Sequence, residues 1–280
     1  MSKIIVVGLD GSDYSKAALR LANYRAKHYD GEVIGVAVLD RETIEKYEKG
    51  APAGAIHYAE KAVEHLLKDA SQKLDKYVDE FEAACKSDGV KYKVVHANGK
   101  PDESLIEEGK TADLIVVGLR TFYHFETSTK SGETLKRLLQ ASVCPVFAVP
   151  KDYETPQNAI IAYDGSPQSA KAMRKYVTLS QNLPFTKRII LVYANDKPLN
   201  EEQDAMLKRA ENYINAYGME VERNVQKGNP NEVIYKVAKD KAPSIVIMGA
   251  YGHNGLGELF FGSTARRVID DGTIPLFVYH

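Results

Sequence analysis

The stretch KIIVVGLDGSDYSKAALRLA at residues 3–22 returns as NAIIAYDGSPQSAKAMRKYV at residues 158–177. Both copies carry a short β-branched run and then Asp-Gly-Ser, at residues 10–12 and 164–166. A run this short and uniformly apolar is typical of a strand that is covered on both faces. The serine is a favoured helix N-cap, and in the second copy Pro167 follows it at the favoured first helical position. Each copy is therefore predicted to begin with a buried strand, a tight turn and a helix.

Two more segments recur in the same order. Residues 98–118 return at residues 227–249, and CPVFAVP at 144–150 returns as IPLFVYH at 274–280. Three ordered matches indicate a tandem duplication. The polar segment KDYETPQ at 151–157 contains a proline and separates the copies. We predict two domains, at residues 1–152 and 157–280.

Within each copy, apolar runs alternate with helical patterns along the whole unit. This alternation favours an α/β fold of two tandem doubly wound domains, each a five-stranded parallel sheet flanked by helices. In such an open sheet, ligands bind at the carboxyl ends of the strands, where the winding direction reverses. The Asp-Gly-Ser turn and the loop after the fourth strand are both expected at that edge.

Residues 40–62 have no counterpart of similar length in the second copy. Their glycine, proline and alanine content is consistent with a lid over a site or with a simple surface insertion. The sequence does not decide between the two.

Charge and cysteine content exclude several classes of protein. The 37 basic and 38 acidic side chains nearly cancel, which argues against a general electrostatic grip on nucleic acid or an anionic membrane. The two cysteines, Cys85 and Cys144, form neither a disulfide framework nor a metal cluster, and both are predicted to be buried and unreactive. No apolar run reaches the roughly 18 residues of a membrane span, and no secretory signal pattern opens the chain. We expect a soluble, cytoplasmic protein.

A glycine-rich loop, GAYGHNGLGELFFGSTARR at residues 249–267, follows the fourth predicted strand of the second copy. Backbone N–H groups of a glycine turn and of a helix start can converge on an anion, with the hydroxyls of Ser263 and Thr264 as further donors. Residues 257–264 imitate a P-loop, but Ser263 stands where the lysine belongs and the loop follows the wrong strand. The loop therefore predicts a phosphate held by neutral dipoles.

The spacing Gly-x2-Gly-x9-Gly-Ser of this loop, in a unit that begins strand-Asp-Gly-Ser, resembles the ATP-binding subgroup of universal stress proteins. The resemblance covers nearly the whole chain as two copies. It implies the adenine nucleotide alpha hydrolase-like fold, with ATP in the second domain and Mg²⁺ or Mn²⁺ on its phosphates. It also implies that Asp164 lies by the adenosine and that Val192 or Tyr193 flanks the base. The implied phosphate contacts are Gly249, Gly252, Gly262, Ser263 and Thr264.

Several of these residues also have simpler interpretations. Asp164 is either a ligand contact or a cap at the helix start, and His253 is either a phosphate contact or a solvated loop histidine. Arg266 and Arg267 are expected either to contact phosphate oxygens or an acidic partner, or to lie on a solvated helix face. The aromatic group at residues 122–125 of the first copy is expected either to line a different pocket or to pack within a longer loop.

The first copy departs from the glycine pattern. Gly132 aligns with Gly262, which places Glu133 on Ser263, and Thr121 replaces the second glycine. A carboxylate at that position repels a phosphate. We expect the first domain to bind ATP poorly or not at all.

The sequence leaves more than one function open. The leading hypothesis is a stress-response regulator in which ATP shifts a conformational or assembly equilibrium that an unknown protein partner recognises. The alternatives are a slow ATPase and a nucleotide-free interaction scaffold. No nucleotidyltransferase or pyrophosphatase motif and no metal-ligand cluster is present in the sequence, so we expect at most slow hydrolysis.

The last strand of each copy is apolar and is expected at a sheet edge, where an unpaired strand promotes aggregation. The resemblance implies that these two strands pair across a pseudo-twofold axis within one chain. A further homodimer of two chains remains open.

Overall fold

The structure, a computed structural model, describes residues 2–41, 44–45, 56–120, 133–183, 188–250 and 263–280. The first half contains β1 (Ile4–Leu9), α1 (Asp13–Tyr29), β2 (Glu32–Leu39), α2 (Ile56–Asp88), β3 (Lys91–Asn98), α3 (Pro101–Gly109), β4 (Leu114–Gly118), α4 (Glu133–Ala141) and β5 (Val146–Val149). The second half contains β6 (Asn158–Ala162), α5 (Pro167–Ser180), β7 (Arg188–Asn195), α6 (Glu201–Ala216), β8 (Glu220–Lys227), α7 (Pro230–Asp240), β9 (Ser244–Gly249), α8 (Ser263–Asp271) and β10 (Leu276–Tyr279).

The ten strands form one continuous sheet in the order β3-β2-β1-β4-β5-β10-β9-β6-β7-β8. Strands pair in parallel within each half, whereas β5 and β10 pair antiparallel, with Phe147 opposite Phe277. The predicted α/β class with a five-stranded parallel unit in each half is confirmed. The two units are fused edge to edge, and the terminal strands cover each other as the resemblance implies.

Aromatic side chains fill the junction between the halves. The rings of Phe147 and Phe277 meet edge to face with centroids 6.2 Å apart, and Tyr176 contacts Phe277 at 5.3 Å. Apolar side chains on both faces of the sheet form cores that run through both halves. The halves therefore share one pair of hydrophobic layers.

Both predicted helix starts after the first strand of each half are confirmed. The Ser12 hydroxyl accepts a hydrogen bond from the Ser15 amide at 3.1 Å, and Ser166 accepts from Ser169 at 3.2 Å. The glycine before each cap has a left-handed backbone, with φ of 72° at Gly11 and 80° at Gly165. Glycine adopts this conformation without the steric penalty that other residues incur.

The insertion in the first half contributes to a long helix. Helix α2 has 33 residues, whereas its counterpart α6 has 16. The last part of segment 40–62 forms the first turns of α2, while residues 42–43 and 46–55 lie outside the described residues. Within the part of the chain that the structure describes, no helix combines the length and apolar character that a membrane span requires.

Both cysteines are buried and free, as predicted. Burial raises the pKa of the Cys85 thiol to about 11, and burial also raises the pKa of Cys144. Because the thiolate is the reactive form of cysteine, both side chains act as small apolar core residues.

Candidate functional site

A cavity of about 300 Å³ lies at the carboxyl ends of β6, β7 and β9. Strand β6 has β7 on one side and β9 on the other, so the winding direction reverses here. This is the place where open α/β sheets bind ligands. The N-terminal turns of α5, α7 and α8 complete the cavity wall.

Six of the nine residues predicted for the nucleotide site line this cavity: Asp164, Val192, Tyr193, Gly249, Ser263 and Thr264. Residues Gly252, His253 and Gly262 lie outside the described residues. The six come from four separate segments of the second half, which the sheet topology brings together. Their individual roles toward a ligand stay predictions.

The strand ends give the cavity an apolar wall. Ala162 ends β6, Val192 lies near the end of β7, and Met248 lies near the end of β9. Ile234 of α7 adds a fourth apolar side chain. This wall offers contact to a flat, largely apolar group rather than hydrogen bonds.

Asp164 has a structural role that the sequence also allowed. Its Oδ1 accepts a hydrogen bond from the Ser166 amide at 3.0 Å, which closes the turn that Gly165 makes possible. Asp10 accepts from Ser12 at 2.9 Å in the first half in the same way. The turn holds the Asp164 carboxylate at the cavity wall, where it is the only formally charged side chain among the described lining residues.

Gly249 is required by packing. A Cβ atom on this residue would lie 2.6 Å from the backbone carbon of Gln168 in the first turn of α5. Gly118 is its counterpart at the end of β4, where a Cβ atom would lie 2.4 Å from the Cβ atom of Tyr14. Because the close approach recurs in the half whose glycine pattern departs, these two glycines serve the seating of a helix on the sheet. The predicted phosphate contact of Gly249 is untested by this geometry.

Asn231 is a cavity residue that sequence reasoning missed. Its Nδ2 donates a hydrogen bond to the Ser263 hydroxyl, and the Thr264 hydroxyl donates to its Oδ1. One neutral amide therefore joins the first turn of α7 to the first turn of α8. No local pattern signals this contact, since it depends on two helices that are neighbours only in the folded chain.

The electrostatics of the cavity come from helix ends. The first turns of α5, α7 and α8 line the cavity, and the positive ends of helix dipoles attract anions. The Ser263 hydroxyl adds a donor, whereas the Thr264 hydroxyl gives its proton to Asn231. This arrangement suits an anionic group without a lysine or arginine clamp from the lining residues that are described.

The chain matches a known family over both halves. The sequence profile of the Universal stress protein family matches residues 1–150 and 156–280. The chain belongs to the universal stress protein family. Universal stress protein Slr1230 of Synechocystis is 23% identical over 287 residues, with 99% of each chain covered.

Solved universal stress proteins share the fold. A universal stress protein from Archaeoglobus fulgidus superposes with a TM-score of 0.68 at 20% identity, covering 99% of this chain and 97% of that chain. A putative universal stress protein from Pseudomonas aeruginosa gives a TM-score of 0.63 at 16% identity, with 99% and 93% covered. These likenesses establish a tandem universal stress protein fold.

The first half of this universal stress protein differs at the corresponding positions. Aligning Pro101 with Pro230 places Asp102 on Asn231, and the buried Asp102 carboxylate is 3.3 Å from Arg137. Leu135, which is fully buried, stands where the second half has Ala265. An acid and a larger apolar side chain thus occupy positions that line the cavity in the second half.

Proposed function

We propose that this universal stress protein binds ATP, or a closely related adenine nucleotide, in the cavity of its second half and acts as a stress-response regulator. The observation that carries the proposal is the meeting of six separately predicted residues in one cavity. The glycine loop that the family resemblance assigns to phosphate leads into α8, whose first residues line that cavity.

The cavity has an apolar wall and a polar wall of helix starts, and together they favour a nucleotide over a simple anion as the ligand. The apolar side chains of Ala162, Val192 and Met248 match a base, and Tyr193 adds an aromatic ring. The helix starts match the phosphates, since the positive ends of the helix dipoles attract anions. Ligand sites commonly combine an apolar wall with a few placed polar groups in this way.

The second half is suited to bind a divalent cation only together with the phosphates of a nucleotide. Among the described residues, no group of three or more His, Cys, Asp or Glu side chains is placed to hold a metal ion. Mg²⁺ usually takes one or two carboxylates together with phosphate oxygens and water. The phosphates and water would supply most of its ligands, and the bound cation would neutralise phosphate charge.

A regulatory role follows from what the cavity offers chemically. Hydrolysis needs a group that positions or activates water, and Asp164 is the single carboxylate among the described lining residues. We therefore propose that bound ATP biases the conformation or assembly of the protein, with turnover at most slow. A protein partner would recognise the nucleotide-bound form.

The proposal is tested by the nucleotide that the purified protein carries. The protein is denatured and the released material is separated by ion-exchange chromatography, for the wild type and for Ser263→Glu, which introduces the residue of the first half. We expect about one adenine nucleotide per chain in the wild type and a large loss in the variant.

Gln157→Glu provides the matched control. Gln157 is exposed and precedes β6 at the opposite, amino-terminal edge of the sheet. The substitution therefore adds the same charge far from the cavity. It should retain the nucleotide of the wild type. Absence of nucleotide from the wild type, together with no rise in melting temperature on adding ATP and Mg²⁺, overturns the proposal.

A further inference from the structure

We propose that Asn231, held by the Thr264 hydroxyl, is a positioning residue that orients the Ser263 hydroxyl as a donor to an anionic ligand, and that the acid at the matching position of the first half helps to restrict binding to the second half. This inference rests on the proposed function. Neither the glycine spacing nor the Asp-Gly-Ser turn contains this residue.

The geometry of Asn231 gives each hydroxyl a different role. Its Nδ2 donates to Ser263, so the lone pairs of that hydroxyl are partly engaged while its proton is available to an acceptor. Its Oδ1 accepts from Thr264, which fixes the rotation of that hydroxyl. Only a side chain with both a donor and an acceptor at this position makes both contacts.

The helix start that contains Asn231 and the low exposure of Thr264 make the contacts of the Asn231 side chain important. Asn231 lies in the first turn of α7, where the Asn229 side chain caps the helix by accepting from the Asn231 amide at 3.0 Å. Thr264 is 9% exposed, so its hydroxyl has little access to water that could replace a lost partner. Loss of the amide therefore leaves the Thr264 hydroxyl poorly oriented.

The first half shows what an acid does at this position. Asp102 there lies 3.3 Å from Arg137, and its side chain is 10% exposed. The counterpart of Arg137 in the second half is Arg267, whose guanidinium lies 4.6 Å from the ring centroid of Tyr235. Tyr235 takes the place of Ile106, so the second half provides its arginine with an aromatic contact instead of an acid.

An aspartate in the second half would therefore change both charge and hydrogen bonding. Asn231→Asp keeps the size of the side chain but removes the donor to Ser263 and adds a negative charge beside the predicted phosphate position. When that carboxyl group is protonated, it regains a donor and loses the charge. The effect of the substitution should thus depend on pH in a way that a packing defect does not.

The experiment measures the dissociation constant of ATP with Mg²⁺ by isothermal titration calorimetry at several values of pH. At neutral pH we expect Asn231→Asp to bind about tenfold more weakly than the wild type, or weaker still. The ratio of the two constants should narrow as the pH falls toward about 4, the ordinary pKa of an aspartate. Asn231→Ser, which retains a donor and an acceptor, should bind more tightly than Asn231→Ala.

Asn212→Asp is the matched control. It adds the same charge at an exposed position of α6, outside the cavity lining. It should stay within about twofold of the wild type because exposed charges far from the site are screened.

The outcomes separate the two proposals. If the wild type binds ATP and Asn231→Asp matches it at neutral pH, the positioning role is wrong and the proposed function stands. A loss that is the same at every pH, or equal in the Asn212→Asp control, also overturns the positioning role. A wild type that binds no ATP overturns the proposed function and this inference with it.

Discussion

Arg25 Nη2 donates a hydrogen bond of 2.7 Å to the carbonyl oxygen of Leu179, which joins α1 of the first half to the last turn of α5 in the second half. The Tyr29 hydroxyl donates to the same oxygen at 2.9 Å. The alignment that places Asp10 on Asp164 also places Arg25 on Leu179. The contact is therefore made by unlike residues at matching positions of the repeat, and it distinguishes the two halves at their junction.

Because Arg25 and Tyr29 donate to the same carbonyl oxygen, we expect the effects of their substitutions on the free energy of unfolding to be strongly coupled. Arg25 is 2% exposed, and burial lowers the pKa of its guanidinium. Arg25→Met removes a desolvated charge but leaves the Tyr29 donor, so we expect the free energy of unfolding to change by less than about 1 kcal/mol. Tyr29→Phe alone should cost about 1 kcal/mol.

The double variant deprives the Leu179 carbonyl of both donors. Its loss of stability should exceed the sum of the single losses by about 1–2 kcal/mol, measured by urea unfolding of all four proteins. Additive losses would show that Leu179 does not couple the two side chains.

Gly165 should tolerate no side chain. Besides its φ of 80°, a Cβ atom would lie 2.1 Å from the Met206 sulfur. Gly165→Ala is expected to lower the free energy of unfolding by about 2–4 kcal/mol, from backbone strain and overpacking together. Gly218→Ala is the matched control, since its φ is 72° and a Cβ atom would have nothing within 4 Å. The control should lose only about 1 kcal/mol, and equal losses in thermal unfolding would refute the steric contribution of Met206.

Gly118 and Gly249 should be equally sensitive to substitution if both serve helix packing. A Cβ atom would lie 2.4 Å from Tyr14 of α1 at Gly118 and 2.6 Å from Gln168 of α5 at Gly249. We expect Gly118→Ala and Gly249→Ala each to destabilise the protein by about 1–3 kcal/mol in the absence of nucleotide. A loss confined to Gly249→Ala and seen only with ATP present would argue that the glycine serves phosphate alone.

The ion pair between Arg223 and Glu211 in the second half predicts that the stability of the protein falls at acidic pH. Arg223 contacts both carboxylate oxygens of Glu211 at 2.7 Å, and these hydrogen bonds lower the pKa of Glu211. A carboxylate whose pKa is lower in the folded state stabilises the fold above its unfolded pKa, and this contribution is lost as the pH falls through the folded pKa.

The wild type should therefore exceed Glu211→Gln in stability by about 1–2 kcal/mol at neutral pH, with the difference shrinking below the ordinary value of 4.5. Urea unfolding across this pH range measures it, with the exposed Glu154→Gln of the linker as control. A difference that stays constant down to the acid transition would show that charge pairing is not its source.

The sequence was sufficient for the parts of the fold that are encoded locally. Buried strands such as β1 and β6 are continuous apolar runs, and Ser12 and Ser166 cap the helices that follow them. The insertion was harder to interpret, because glycine, proline and alanine at residues 50–55 obscured the helix that begins at Ile56.

The site was predictable only in part, for a similar reason. The Asp-Gly-Ser turn and the Ser-Thr pair stand out locally, whereas Asn231 gains its partners only when α7 and α8 pack side by side. The packing role of Gly249 likewise depends on Gln168, a residue from a helix distant along the chain. Tertiary neighbours therefore define what sequence spacing alone cannot.

The most direct test of the central claim is the stoichiometry of ATP binding, measured by equilibrium dialysis of the intact chain with Mg²⁺ and labelled ATP. We predict about one ATP per chain, abolished by Ser263→Glu and unaffected by Gln157→Glu. No binding by the wild type, about two ATP per chain, or binding that survives Ser263→Glu would contradict a single nucleotide site in the second half.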